Sequence, residues 1–547
     1  MEINRLPVSL GPDDFPYPSR RMPVIARNGV VATSSPLAAQ AGLRMLLAGG
    51  NAVDAAIAAA ATLTVVQPWV NGIGSDAFAI VWDGERLHGL NGSGRAPAAH
   101  APDLFVRLGH AQVPMRGWLS VTVPGAPAAW RDLHGRFGKL AFERLFEPAV
   151  AYAEEGFALE PETAREWAAA QLRFRDQLSG PEFEGWFSTF MPEGRAAAPG
   201  EIWTMPGHAR SLRLIAETKA KAFYEGELAE AMAAFAARTG GYLTEADLAA
   251  HESTWVEPIG VRYRGYDVWE LPPNGQGIVA LQALAMLEGL DPGQQRESSV
   301  SYHLQIEALK LAFADAYRYV ADPDRANVPV AGMLAPAYVA QRRALIAEEA
   351  AEPAPGAPPR GGTVYLCAAD RDGMMVSFIQ SNYLGFGSGV VVPGTGISLQ
   401  NRGRGFTLEP GHPNQIGPGK RPFHTIIPGF LTRDGRAVGP FGVMGAAMQP
   451  QGHVQVIANQ LDYGMNPQTA LDAPRWQWTG GRQVLLEREV PPDVVEGLKR
   501  RGHEVSIAAN GPLVNLGFGR GQIIRRLENG AYIAGSEPRA DGCAVGF

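Results

Sequence analysis

The chain has 547 residues, with 48 Lys+Arg against 55 Asp+Glu and a net charge of −7 at pH 7. No block of like charge interrupts it, which places nucleic acids and anionic membranes last among partners. With 46% hydrophobic and 19% charged residues it can bury a large core, so wholesale disorder is excluded and the length allows two to four ordinary domains or one very large α/β unit.

The two cysteines, Cys367 and Cys543, cannot build a disulfide framework, and neither belongs to a CxxC pair suited to zinc or redox work. A reducing compartment fits that usage. The first twenty-odd residues lack a basic stretch leading into an apolar core, so no secretory signal is read there. The longest apolar run, Ala52 to Val66, is broken by Asp54 and too short to span a bilayer. The expectation is a cytoplasmic protein.

In chain order, Leu37, Ala41, Met45 and Ala48 form a helical face that stops at Gly49-Gly50, where glycine supplies a left-handed cap. Asn51 then caps a second, alanine-rich helix suited to close packing. Gly72-Ile73-Gly74-Ser75-Asp76-Ala77 fits a dinucleotide-binding pattern by spacing, but it follows Pro68-Trp69 instead of a strand and leads into a β-like run instead of a helix, so no cofactor is expected. That run, Ala77 to Trp82, closes on the Asp83-Gly84 turn of a hairpin. From Leu145 to Ala350 the pattern is mainly helical, with one face at Leu304, Ala308, Leu311 and Ala312 that Asp315 interrupts and Asp322-Pro323 ends. The eleven histidines are scattered, with no HExxH, and no metal site is read.

The sharpest break is PAPGAPPRGG at 353–362, whose four prolines and three glycines hold neither helix nor ladder. Thr363 to Ala369 and Met374 to Gln380 follow as two β-rich runs joined by Asp370 to Gly373. Further strand-like pieces come at Gly389–Val392, Thr425–Ile427, Gln483–Leu486 and Gln522–Ile524, with a helix near Pro491–Arg501. Thr363 begins a strand directly after a cuttable segment. A hydroxyl needs a base within hydrogen-bond reach, and a threonine at a new chain start carries one in its own α-amino group.

Taken together, the stretches SSPLAAQAGLRMLLAGGNAVDAAIAAA at 34–60, GIGSDAF at 72–78, VPGAPAAW at 123–130, LFEPAVAYAEEGF at 145–157, GGYLTEADL at 240–248, EALKLAFADAYRYVADPD at 307–324, FGSGVVVPGTGISLQN at 386–401, PGKRPFHTIIPG at 418–429 and LDYGMNPQTALDAPRW at 461–476 resemble the γ-glutamyltransferases (glutathione hydrolases), a family of N-terminal-nucleophile hydrolases. The resemblance covers nearly the whole chain. It implies an α+β four-layer αββα sandwich, and a precursor that cleaves itself between Gly362 and Thr363 into a large subunit of residues 1–362 and a small subunit of residues 363–547. It implies Thr363 as nucleophile on a small-molecule amide, Ser381 in place of the threonine that hydrogen-bonds it, and Gly445-Ala446 in place of the glycine pair that forms the oxyanion hole. No metal or other cofactor is implied, and oligomerisation of the processed pair stays open.

The acyl pocket departs from the family. The arginine for the substrate α-carboxylate aligns with Ser93, although Arg95 lies two residues on. Tyr383 replaces an asparagine, Arg402 and Gly405 replace a glutamine and an aspartate, and His424-Thr425 replace a serine pair. An α-ammonium would face Arg402 where the family offers acceptors, an unfavourable meeting of like charges. Arg95, Arg402 and Arg404 instead suit an acyl group that carries a carboxylate and no ammonium, as in a branch that includes oxamate amidohydrolases and cephalosporin acylases. Glutathione hydrolysis itself, and a non-catalytic relative that binds a carboxylated metabolite, are the competing readings.

Overall fold

The computed structural model describes residues 21–353, 363–508 and 515–547. Two antiparallel seven-stranded sheets dominate it. The first runs in the order Cys543–Gly546, Gly29–Thr33, Val364–Asp370, Met375–Ser381, Asp76–Trp82, Leu87–Gly92 and Thr254–Val256. The second runs Val24–Ala26, Tyr532–Ser536, Arg520–Arg526, Arg436–Met444, Gly429–Arg433, Tyr266–Glu270 and Ile259–Tyr263. The sheets pack face to face through Tyr365, Phe430, Ile524 and Tyr532. Helices Pro36–Leu47 and Ala52–Val66 cover the outer face of the first, and Gly277–Leu287, Met448–Leu461 and Pro467–Asp472 that of the second. This is the four-layer αββα sandwich expected.

Each sheet takes strands from both sides of Thr363. Neither half could bury its own sheet alone, so a cut in front of Thr363 would leave two interleaved chains instead of two domains. No disulfide joins them among the described residues: Cys367 is buried and free, and Cys543 is partly exposed and free.

Local chemistry explains why the first helices sit so tightly. Asn51 accepts from the N–H groups of Val53 and Asp54 while Asp54 accepts from Asn51 N–H, a reciprocal cap. The following helix is buried on every side, which small alanine side chains permit. A Cβ on Gly42 would lie 2.9 Å from the Ala55 carbonyl oxygen, so glycine is what allows the two helices to approach.

Three expectations need correction. Gly389–Val392 and Thr425–Ile427 are not strands; they belong to irregular segments that touch their neighbours through the single bridges Val391 to Ser398 and Gly275 to His424. The helical stretch between 145 and 350 contains three strands between Thr254 and Glu270. Asp315 does place a carboxylate on the face of Leu304, Ala308, Leu311 and Ala312, inside a helix that runs from Ser299 to Tyr319; it turns inward and accepts from Gln282 Nε2 at 2.8 Å and Tyr338 Oη at 3.0 Å. The segment 354–362, and with it Gly362, lies outside the described residues.

No helix among the described residues is long and apolar enough to cross a membrane. Asp54 also accepts from the N–H groups of Lys139 and Leu140 at 3.1 and 3.2 Å, so its removal orphans several partly buried donors. Asp54→Ala is expected to lower stability by about 3 kcal/mol in urea unfolding, with Asp54→Asn losing less.

Candidate active site

Val364–Asp370 is the third strand of the first sheet and buried throughout. Thr363 stands just before it, fully buried. The pairing Val364 to Gln380 brings the neighbouring strand's end alongside. Thr363 Oγ1 therefore lies 3.0 Å from Ser381 Oγ, which accepts from the Tyr383 N–H at 2.8 Å. That bond accompanies a turn in which Tyr383 takes a positive φ of 77°, unusual for a bulky residue.

On the other side, Gln449 points Nε2 at Thr363 Oγ1 at 3.4 Å, while its Oε1 accepts from Ile427 N–H at 2.9 Å. Gln449 lies in the first turn of the helix Met448–Leu461, directly after Gly445-Ala446. The N–H groups of Met448 and Gln449 bond back to the carbonyls of Gly445 and Ala446. Among the described residues, the N–H groups of Gly445 and Ala446 donate to no protein group. Ala446 has φ 53°, a left-handed conformation that costs an alanine about 1 kcal/mol. The carbonyls of Ala446 and Thr425 both accept from Gln276 Nε2, at 2.8 and 2.7 Å, which ties this turn to the 424–427 segment.

Arg402, Thr425 and Tyr383 come together as the sequence suggests. Arg402 Nη1 donates to Thr425 Oγ1 at 2.7 Å, and the guanidinium sits 5.1 Å from the Tyr383 ring centre. Arg402 is 1% exposed, and its Nε and Nη2 have no hydrogen-bond partner among the described residues. Burial lowers its pKa to about 10, an effect that the charge of Asp76 opposes. Burial also raises the Tyr383 phenol to about 12, against the pull of Arg402 and Arg404.

His424 is buried beside Asp76, with Nε2 3.0 Å from Oδ2. Burial and the charges of Arg402 and Arg421 hold the imidazole well below its ordinary pKa. The neutral ring then donates through Nε2 to Asp76 and accepts the Ile426 N–H at Nδ1, 3.4 Å away. Asp76 also accepts from Gly125 N–H at 3.1 Å. Its burial pushes the carboxyl up to about 7, against the opposing charge of Arg402. Asp76 pairs with Ser381 in the sheet register, so the group that balances Arg402 stands one strand from the hydrogen-bond partner of Thr363.

Arg95 does not join this cluster. Its guanidinium binds Asp322 at 3.2 Å, Asp324 at 2.8 Å and the Gly419 carbonyl at 3.1 Å, and those acids compensate its charge. Arg404 is partly exposed and donates to Gln112. Ser93, at the aligned arginine position, is buried between Asn91 and Asn274. Asp76 and Gln449 are the site residues that the sequence reading left unassigned. Asp76 lies within GIGSDAF, where its glycines drew the attention, and Gln449 carries no pattern that distinguishes it from a helix-capping amide.

The gamma-glutamyltranspeptidase family model matches residues 38–547. The glutathione hydrolase-like YwrD proenzyme of Bacillus subtilis is 37% identical over 537 residues, covering 96% of this chain and 99% of that protein. The oxamate amidohydrolase proenzyme of Klebsiella pneumoniae is 32% identical over 538 residues, with 96% and 99% covered. The crystal structure of cephalosporin acylase from Bacillus halodurans superimposes with a TM-score of 0.94 at 52% identity, covering 99% of both chains. An ordered αββα sandwich with a buried threonine at a strand start, matched along nearly its full length by proenzymes, identifies the chain as a member of the gamma-glutamyltranspeptidase family, a self-processing amide hydrolase of the N-terminal-nucleophile type.

Proposed function

We propose that the chain cleaves itself between Gly362 and Thr363 and then hydrolyses a small amide whose acyl group ends in a carboxylate. The unbonded Nε and Nη2 of buried Arg402 carry this reading. A buried guanidinium with two free donors is costly unless an anion completes it, and a carboxylate fits two parallel donors. Oxamate-like and dicarboxylic acyl amides have that group and no ammonium to repel. The names of the oxamate amidohydrolase and cephalosporin acylase relatives agree with it.

In this mechanism Thr363 Oγ attacks the amide carbon and its freed α-amino group takes the proton. The amine leaves with that proton, and water then hydrolyses the resulting ester. Ser381 orients the hydroxyl through the 3.0 Å contact. The N–H groups of Gly445 and Ala446 receive the oxyanion, a donor being worth about 3 kcal/mol of barrier. Thr425 and the Tyr383 face hold the Arg402 guanidinium in place. Gln449 adds a donor next to the reacting oxygen. Residues 1–362 and 363–547 are the two subunits, held by shared sheets, and the cytoplasm is the compartment proposed from cysteine usage.

A second reading is hydrolysis of a γ-glutamyl amide, with Asp76 taking the ammonium. It is favoured by the nearness of that buried carboxylate to Arg402, but His424 and Gly125 already occupy Asp76.

Thr363→Ala is expected to stay a single chain by intact mass and to show no turnover, while Thr363→Ser still processes; a fully cut Thr363→Ala protein would end the mechanism. Hydrolysis of oxamate, a glutaryl amide and a γ-glutamyl anilide should favour one of the first two. Arg402→Met should raise KM for that substrate about a hundredfold, with Arg402→Lys recovering little of the loss; a dominant γ-glutamyl activity would favour the second reading.

If Gln449 serves only to fill space, its isosteric Glu variant should be mild. As a donor it predicts the reverse: in processed protein, Gln449→Glu should lower kcat more than Gln449→Leu, at similar KM. Asp76 is neutral below pH about 7, which leaves the Arg402 charge uncompensated there. KM for the anionic substrate should accordingly rise by about three- to tenfold as pH increases through that value, and Asp76→Asn should flatten the profile.

A further inference from the structure

Remote from this site, three buried side chains converge at the seam between the two halves. His303 and Glu307 lie one helical turn apart on Ser299–Tyr319, so both project from the same face. His503 follows the helix Pro492–Arg500. The ligand-capable atoms of these three residues all lie within 4.8 Å of one another. His303 Nδ1 is 2.9 Å from His503 Nε2, and Glu307 Oε1 is 4.0 Å from that same nitrogen.

The protonation pattern is set by a carbonyl. His303 Nε2 lies 2.8 Å from Ala347 O, an acceptor only, so Nε2 carries the hydrogen and Nδ1 presents its lone pair to the cluster. A metal-bound imidazole is oriented by the same kind of bond. His503 Nδ1 is buried with no hydrogen-bond partner.

One group competes. Lys310 Nζ bonds Glu307 Oε1 at 2.6 Å and also the Ala351 carbonyl. Glu307 Oε2 accepts from Ala351 N–H at 3.2 Å, and Arg501 binds the Glu348 carbonyl. The cluster thus holds residues 347–351, the stretch leading toward the 353–362 segment.

We propose that His303, Glu307 and His503 form a structural zinc site that clamps the large-subunit helix and the 347–351 stretch to the small-subunit segment at His503, with Lys310 giving up Glu307 Oε1 to the ion. Two imidazole nitrogens and a carboxylate are a zinc donor set, with a fourth position left for water. Bonds of about 2.0–2.1 Å place tetrahedral ligand atoms about 3.3 Å apart. The two nitrogens therefore open by a few tenths of an ångström, and the glutamate oxygen closes on His503 Nε2 by about 0.7 Å. Binding replaces the hydrogen between the imidazoles by the metal, with the displaced proton leaving to solvent or to His503 Nδ1.

The test uses the purified protein after chelator treatment, titrated with Co(II) as a spectroscopic stand-in and with Zn(II) against a chromophoric chelator. One ion per polypeptide equivalent is expected, with the visible absorption of tetrahedral Co(II). Glu307→Gln should weaken Zn(II) binding at least about tenfold, His503→Ala should abolish it, and Lys310→Met should strengthen it by removing the competitor. Glu307→Gln is isosteric and keeps the test decisive if His503→Ala fails to fold. Wild-type protein that binds no stoichiometric ion, equal affinity in Glu307→Gln, or no gain in Lys310→Met would overturn the site. Hydrolytic activity is not the readout, so the outcome is independent of the amide substrate.

Discussion

The position of Thr363 constrains everything around it. A nucleophile that supplies its own base must stand at a chain start, yet it must also be held to a fraction of an ångström inside a dry site. On the proposed mechanism both demands fall on Thr363, which stands at the mouth of a central, fully buried strand flanked by Gly29–Thr33 and Met375–Ser381. Strand register then delivers Ser381 to its hydroxyl, and places Asp76 beside Ser381 one strand further on. The second sheet must cover this strand from the other face, and it ends in Met444, directly before the Gly445-Ala446 turn. The two sheets therefore place Thr363 and the helix that follows the Gly445-Ala446 turn within reach of each other, with Gln449 Nε2 3.4 Å from Thr363 Oγ1.

Electrostatics define the acyl side. Arg402 is taken out of water with only one of its nitrogens bonded, a state whose cost a bound anion would offset. Asp76 attracts it without forming a hydrogen bond to it, and is itself neutralised near pH 7 by the burial that surrounds it. Arg95 shows the contrast: two aspartates neutralise it at a partly exposed position, and it has no remaining demand for a ligand. One arginine is compensated by acids and the other keeps two unbonded donors among the described residues, although both lie in glycine-flanked segments of similar appearance.

The interleaving of the halves has an energetic corollary. With strands from both sides of Thr363 in each sheet and no disulfide among the described residues, the two halves are held by hydrogen-bonded ladders and by apolar burial between layers, which a cut in front of Thr363 would leave in place. Such an interface resembles a domain core cut in two and has no independently stable parts. The His303–Glu307–His503 cluster lies on the same seam, where a single ion would add a bond between subunits that packing alone provides elsewhere.

Local signals in the sequence determined the capped helices at 36–66, the hairpin strands on either side of Asp83 and of Asp370–Gly373, and the candidacy of Thr363, because caps, turns and strand alternation act over a few residues. Similarity to a known family determined the layer order and suggested Gly445-Ala446 as the oxyanion pair. Only the tertiary structure decided which arginine is free, since Arg95 meets Asp322 and Asp324 from over two hundred positions away while Arg402 meets no carboxylate within hydrogen-bond reach. It also decided that Asp76 faces His424 and that His503 meets His303, for side chains three hundred or two hundred positions apart leave no periodic trace. The physical reason is one of range: propensity is written into neighbouring residues, whereas desolvation and charge balance depend on whatever the folded chain packs against each group.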